Sequence, residues 1–171
     1  METILLDHNY TMYYHDVSDE NWDKDSYRTI YTFGTLNDVV KLQNTISNYT
    51  SGMFFLMRDP IFPLFEDDAN LNGGYWTYKI PKKDMNKIWM EMVGRFVCNG
   101  ITKDPKHSLL INGISISPKI TNCILKIWTN DSRVQQTSIL SSDVNKLLNM
   151  ECYYRPHVEN LMNYQATHHK Q

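Results

Sequence analysis

The chain has 171 residues, 42% hydrophobic and 21% charged, with a formal net charge of −2. That length suits one domain whose core is large enough to fold without staples, and the balance is that of an ordinary globular protein. Near-neutral charge argues against a broad-surface binder of long nucleic acid, but leaves room for a compact pocket that reads one nucleotide and a few phosphates.

Along the chain, residues 10–15 and 26–33 read as strands, the second because Tyr27, Thr29, Tyr31 and Phe33 alternate with Arg28, Ile30 and Thr32. Between them, the polar stretch from Asp16 to Ser26 carries one large ring, Trp22. Thr35 opens a helix, with Asp38 three residues on as a short capping-box partner. Val39, Leu42 and Ile46 form its inner face, and Leu36 and Val40 lie to one side. Met53 to Arg58 is a strand, broken by Pro60 and Pro63. Tyr75 to Ile80 is another. Asp84 is placed to cap a second helix, whose face is Met85, Ile88, Trp89, Met92 and Phe96, with Gly100 at its end.

Leu109 to Ser117 and Cys123 to Thr129 read as strands joined near Pro118-Lys119. Leu140, Val144, Leu147 and Leu148 mark a third helix, and Tyr153-Tyr154 lies in a last strand. Residues 1–157 are read as one domain and the polar residues 158–171 as a flexible tail. Strands in succession with three interspersed helices, mostly without a βαβ rhythm, predict an α+β fold with a largely antiparallel sheet.

No apolar run approaches the roughly 20 residues of a membrane span, and the first residues lack the basic start of a signal peptide. Cys98, Cys123 and Cys152 are an odd set without metal spacing, which suits a reducing compartment. No P-loop, dinucleotide fingerprint or nucleophile elbow occurs, and the histidines form no metal-binding pattern, so neither an enzyme nor a bound metal or cofactor is expected. Asp68, Asn70, Asn72 and Gly73 match the opening of a calcium loop, but Lys79 stands where the closing Glu should be. A metal-dependent nucleotide hydrolase built on Glu66, Asp67 and Asp68 remains the alternative from another class.

The most informative stretch runs from Pro63 to Trp76. It sets Phe65 directly before Glu66 on a loop and closes with Gly73-Gly74-Tyr75-Trp76. A ring beside a carboxylate is what holds a guanine: the ring stacks on the base and the carboxylate accepts its N1–H and N2–H. This stretch, with Trp22 before it and Lys126-Ile127-Trp128-Thr129 after it, resembles the cap-binding translation initiation factor 4E family. So do the Phe33-x-Thr35-Leu36 helix entry, Ile88-Trp89-Met90-Glu91, Asn112-Gly113 and His157.

The resemblance covers roughly Tyr10 to His157. It implies a curved antiparallel sheet with three helices on the convex face and a slot for the 7-methylguanosine cap of mRNA on the concave face. Trp22 and Phe65, the latter where the family usually has Trp, would sandwich the base. Glu66 would read its edge, and Trp128 would border the N7 methyl. The phosphate clamp departs most: Lys119 matches, Ile124 replaces a basic residue, and Lys126 and Arg155 are the candidates to supply the charge. Leu36, Val40, Met90 and Glu91 fall at the dorsal positions where a scaffold initiation factor or repressor docks, with Val40 in place of the usual Trp. A cytoplasmic, non-enzymatic role in translation initiation follows from the resemblance, with a cap-binding repressor as the rival. The divergence at both surfaces suits a viral or protist member.

Overall fold

The computed structural model describes residues 2–168. Its centre is a seven-stranded antiparallel sheet in the order β2-β1-β3-β5-β6-β4-β7. In chain order the elements are β1 (Leu5–His15), β2 (Tyr27–Thr35), α1 (Leu36–Thr45), β3 (Met53–Arg58) and β4 (Gly74–Pro81). They continue with α2 (Met85–Val97), β5 (Ile111–Pro118), β6 (Asn122–Thr129), α3 (Ser142–Leu147), β7 (Cys152–Pro156) and α4 (His157–His168). The expected α+β class and largely antiparallel sheet are therefore what the chain forms.

Strand alternation divides the sheet into two unequal faces. Tyr10 and Met12, Phe54 and Leu56, Ile114 and Ile116, Leu125 and Ile127, and Trp76 and Tyr78 point one way. There they meet Val39 and Leu42 of α1, Met85, Ile88, Trp89, Met92 and Phe96 of α2, and Val144 of α3. Each fully buried aliphatic chain here contributes about 1.5–3 kcal/mol relative to exposure, so this face carries the stability. The opposite face holds a smaller buried cluster of Tyr13, Met53, Phe55, Met57 and Trp128.

The helix ends follow their local chemistry. Thr35 accepts from the Asp38 amide at 3.1 Å and donates to its carboxylate at 2.7 Å, closing the box at α1. Ser141 caps α3 through the Val144 amide at 3.2 Å. Asp84 is a correction: it stands before α2 but makes no side-chain cap, because a 3-10 turn over Lys82–Asp84 feeds straight into the helix. At the other end the left-handed residue is Asn99 (φ 57°), while Gly100 returns its amide to the Arg95 carbonyl at 2.7 Å. Pro105–Leu110 forms a 3-10 turn, so β5 begins at Ile111 and not at Leu109.

The segment read as a flexible tail is α4 as far as His168. It is tied to the sheet where the His157 amide donates to the Gly73 carbonyl at 2.9 Å and where Tyr75 donates to Asn160 at 3.2 Å. Residues 169–171 of that expected tail lie outside the described residues.

Candidate cap-binding site

A cleft of about 1070 Å³ opens on the smaller face, and Trp22, Phe65, Glu66, Lys119, Lys126, Trp128 and Arg155 all line it. They come from separated parts of the chain: the β1–β2 loop, the β3–β4 loop, the β5–β6 turn, β6 and β7.

The loop that carries Trp22 is built from side-chain-to-backbone turns, which explains its Asp, Asn and Ser content. Asp16 accepts from the Ser18 amide at 2.8 Å, Asp19 from the Asn21 amide at 2.9 Å, and Asp23 from the Asp25 amide at 3.1 Å. Beneath them, His15 is fully buried. Its Nδ1 lies 2.8 Å from the Asp16 carbonyl and its Nε2 2.8 Å from the Asn21 carbonyl, so one imidazole spans the loop. Trp22 lies flat on that imidazole, with centroids 4.1 Å apart and planes 3° apart, and remains 45% exposed. Tyr27 meets both rings edge-on.

Phe65 sits on a different support. Its ring stacks on His157 (4.9 Å), Trp128 (5.4 Å) and Tyr75 (5.8 Å). Trp128 is buried and donates its indole N–H to the Ser115 hydroxyl at 2.9 Å, which fixes its plane. The turn beyond Phe65 is fixed from inside. Asp67 accepts from the amides of Phe62 (3.2 Å) and Ala69 (3.0 Å). Buried Asn70 donates to the carbonyls of Phe62 (2.9 Å) and Leu64 (2.8 Å), and Asn112 donates to Asn70 at 2.9 Å. These bonds separate the acidic run into roles: Asp67 holds backbone, while exposed Glu66 lines the cleft.

Basic groups gather beside the rings. Lys126 pairs with Thr77 across β4 and β6, sharing the face of Trp128 and Tyr75. Its ammonium stands 4.1 Å from the Tyr75 centroid and 5.7 Å from that of Phe65, within cation–π range. Burial, then the charges of Lys119 and Arg155, push its pKa down to about 8. His157 is buried with neither ring nitrogen hydrogen-bonded, and burial followed by the Lys126 charge pushes it down to about 3, so the neutral ring packs as an apolar plate. Burial, then the nearby Glu66 charge, raises the Tyr27 phenol above its ordinary value.

Of these supports, the sequence reading passed over His15, and it placed Asn160, which lines the cleft from α4, in the expected tail. Nothing in the spacing of His15 marks it. Asn160, Asn163 and Thr167 line the cleft at helical spacing, but they are polar and gave no apolar period from which α4 could be read. Among the described residues no group of three or more His, Cys, Asp or Glu is placed to hold a metal.

On the opposite side of the sheet, Gln43 of α1 donates to the Met90 carbonyl of α2 at 3.1 Å, holding the two helices together. Leu36 and Met90 pack partly against the core, Val40 is 50% exposed, and Glu91 pairs with Arg95 at 2.9 Å.

An open antiparallel sheet with helices behind it stands at the back of a cleft lined by aromatic rings, by Glu66 and by Lys119, Lys126 and Arg155. The family model for eukaryotic initiation factor 4E matches residues 5–171, and the chain belongs to that family. Similar curated relatives include eukaryotic translation initiation factor 4E-1 of Caenorhabditis elegans, 27% identical over 144 residues, 78% of this chain and 66% of the relative. Factor 4E-1A of Danio rerio is 30% identical over 112 residues, 61% of this chain and 51% of the relative. The chain thus spans about two thirds or less of the length of these relatives.

Among solved structures, the complex of C. elegans eIF4E-3 with the 4E-binding protein Mextli and cap analog aligns with a TM-score of 0.79 at 18% identity. That alignment covers 94% of this chain and 96% of the other. Ascaris suum eIF4E-3 with the m2,2,7G cap aligns with a TM-score of 0.75 at 19% identity, over 91% and 92% of the two chains.

Proposed function

We propose that this protein binds the 7-methylguanosine cap of mRNA and acts without catalysis in translation initiation in the cytoplasm. The observation that carries the reading is the convergence on one cleft of two stackable rings, Trp22 and Phe65, with Glu66 as the carboxylate of the acidic run that lines it. Methylation makes the guanine cationic, so each ring face gains roughly 0.5–2 kcal/mol of cation–π attraction, within a stacking contribution of about 1–3 kcal/mol per contact. Glu66 accepts the N1–H and N2–H of the base, a charge-assisted pair. Lys119, Lys126 and Arg155 face the phosphates.

The cleft closes on its ligand. Trp22 rests over His15 of β1 and Phe65 over Trp128 of β6, three strand spacings apart across the sheet, roughly 14 Å, and further offset along the strands, since His15 is level with Ile124 and not with Trp128. A base between two rings needs a gap of about 7 Å, twice the contact distance between carbon atoms. One ring, or both, moves inward: Phe65 lifts from the Trp128–His157 plates or the Trp22 loop leans over β3. The dorsal residues Leu36, Val40, Met90 and Glu91 form the partner surface for a scaffold initiation factor or a dedicated regulator. The complexed 4E-binding proteins of the structural neighbours support that reading.

Fluorescence titration with 7-methyl-GTP and GTP tests the proposal. Tryptophan quenching with at least ten-fold preference for the methylated nucleotide is expected; equal affinity removes the cationic sandwich.

A further inference from the structure

The turn that presents Phe65 and Glu66 is held from one point on β5. Ile111 pairs with Thr129 and Gly113 with Trp128, so two steps along β5 answer one along β6, and Asn112 is the extra residue of a β-bulge. Alternation counted back from Ile116 and Ile114 would send the Asn112 side chain among the helices. At the bulge it reaches the β3–β4 loop, donating to the Ala69 carbonyl at 2.8 Å and to the Asn70 side-chain oxygen at 2.9 Å. Gly113 belongs to the same device. A Cβ there would stand 2.7 Å from the Leu56 carbonyl oxygen, so glycine lets the bulged strand close on β3.

From Asn70 the hold passes to the turn. The Asn112 bond fixes which way the Asn70 amide faces, and that amide donates to the Phe62 and Leu64 carbonyls at 2.9 and 2.8 Å. On the other side, the Asp67 carboxylate accepts from the Phe62 and Ala69 amides, and the Asp67 carbonyl accepts from the Asn70 amide at 2.8 Å. Phe65 and Glu66 are the two residues between these ties. Phe65 has a second support in the rings of Tyr75, Trp128 and His157. Glu66 is exposed, so the turn sets where its carboxylate starts. Both amides are buried, Asn70 at 0% and Asn112 at 2% exposure. Burying them costs desolvation that an apolar pair would avoid, but an amide pair is directional, and one orientation alone makes these bonds.

We propose that Asn112, acting through Asn70, is a positioning residue that sets the base selectivity of the cleft, by holding Glu66 against the N1–H and N2–H edge of guanine. The inference rests on the cap-binding reading, which supplies the base. Removing the Asn112 amide therefore costs discrimination at the base edge and spares the preference for the methyl group, which the rings provide.

The test titrates 7-methyl-GTP, GTP and 7-methyl-ITP, whose base lacks the 2-amino group. The proteins are the wild type, Asn112→Ala, Asn112→Ser and Ile114→Val, each with a thermal melt. Ile114→Val removes buried packing from the same strand without touching the amides. The wild type is expected to prefer 7-methyl-GTP over 7-methyl-ITP by about ten-fold or more, as one hydrogen bond to a charged acceptor requires. Asn112→Ala should bring that ratio close to one, while its preference for 7-methyl-GTP over GTP stays near the wild-type value. Asn112→Ser, whose hydroxyl donates one bond in place of two, should fall between them, and decides the matter if the alanine variant does not fold. Ile114→Val should keep both ratios even where its melting temperature drops.

An Asn112 variant that melts lower but keeps the wild-type ratio overturns the positioning role and leaves a structural one. Equal loss of the ratio in Ile114→Val overturns it too. So does a matching fall in the preference over GTP, because the whole turn, Phe65 included, would then have been lost. A wild type that does not bind 7-methyl-GTP sinks the cap reading and this inference with it. A wild type that binds both methylated nucleotides equally removes Glu66 as the edge reader, and the role assigned to Asn112 falls with it.

Discussion

The two aromatic walls of the cleft are built in opposite ways. Trp22 belongs to a loop held by Asp and Asn turns and by one buried imidazole, with half its surface in solvent. Phe65 lies in a stack of four rings that continues into the sheet through Trp128. One ring is placed by polar bonds to backbone, the other by packing. The first wall can therefore change without touching the core, whereas the second is coupled to it.

The largest expected effect lies at Glu66, which both walls serve. Glu66→Ala should lower 7-methyl-GTP affinity by a hundred-fold or more. Glu66→Gln should lose most of it, because Gln offers one acceptor and a mismatched donor to the guanine edge. Titration checks both variants, and retained binding in both would remove Glu66 as the edge reader.

Next come the rings, where the comparison is sharpest. Trp22→Ala and Phe65→Ala should each weaken binding ten-fold or more. Only Phe65→Ala should also lower unfolding stability, by roughly 1–3 kcal/mol, since it uncovers Trp128 and His157. Denaturant melts beside titrations separate the two. Equal stability losses would break the contrast between the walls.

His15 probes how the Trp22 wall is held. His15→Phe keeps a ring under Trp22 but removes both carbonyl contacts, and should weaken cap binding several-fold. A larger loss for His15→Ala than for His15→Phe, read by titration, would show that the stacked ring itself positions Trp22.

The smallest effects concern pH. His157 stays neutral in the fold down to about 3, below its ordinary value of 6.5, so the unfolded chain binds the extra proton between those values. Stability from this group is present above pH 6.5 and is lost as pH falls toward 3. His157→Phe should flatten that part of the stability profile. Lys126, pushed down to about 8, should make 7-methyl-GTP binding weaken as pH rises through 8, while affinity for the uncharged-tail 7-methylguanosine changes less. Lys126→Arg should remove that dependence.

Legibility in the sequence followed the range of the interaction. Period-two alternation placed Lys126 beside Trp128 because both lie on one strand, and the capping box at Thr35 is complete within four residues. Adjacency to the Phe65 ring, together with the resemblance, singled out Glu66 from the acidic run. That Asp67 turns inward depends on the amides of Phe62 and Ala69, and that Asn70 is buried depends on Asn112, 42 positions away. The tail became α4 for the same reason: its polar composition promises no core, and its anchors, Gly73 and Tyr75, lie far back in the chain.

The polar construction of the Trp22 loop carries a consequence for its motion. Its turns close over two or three residues each and bury little besides His15, so the segment can open without the sheet opening. Backbone amides from Asp16 to Ser26 should exchange with solvent deuterium far sooner than those of β4, β5 and β6, which open only with the whole fold. One side of the cleft should then open locally and fast, while the sheet beneath the Phe65 wall opens slowly. A ligand clasped between them should slow exchange chiefly on the Trp22 side, giving the loop a protection it lacks alone.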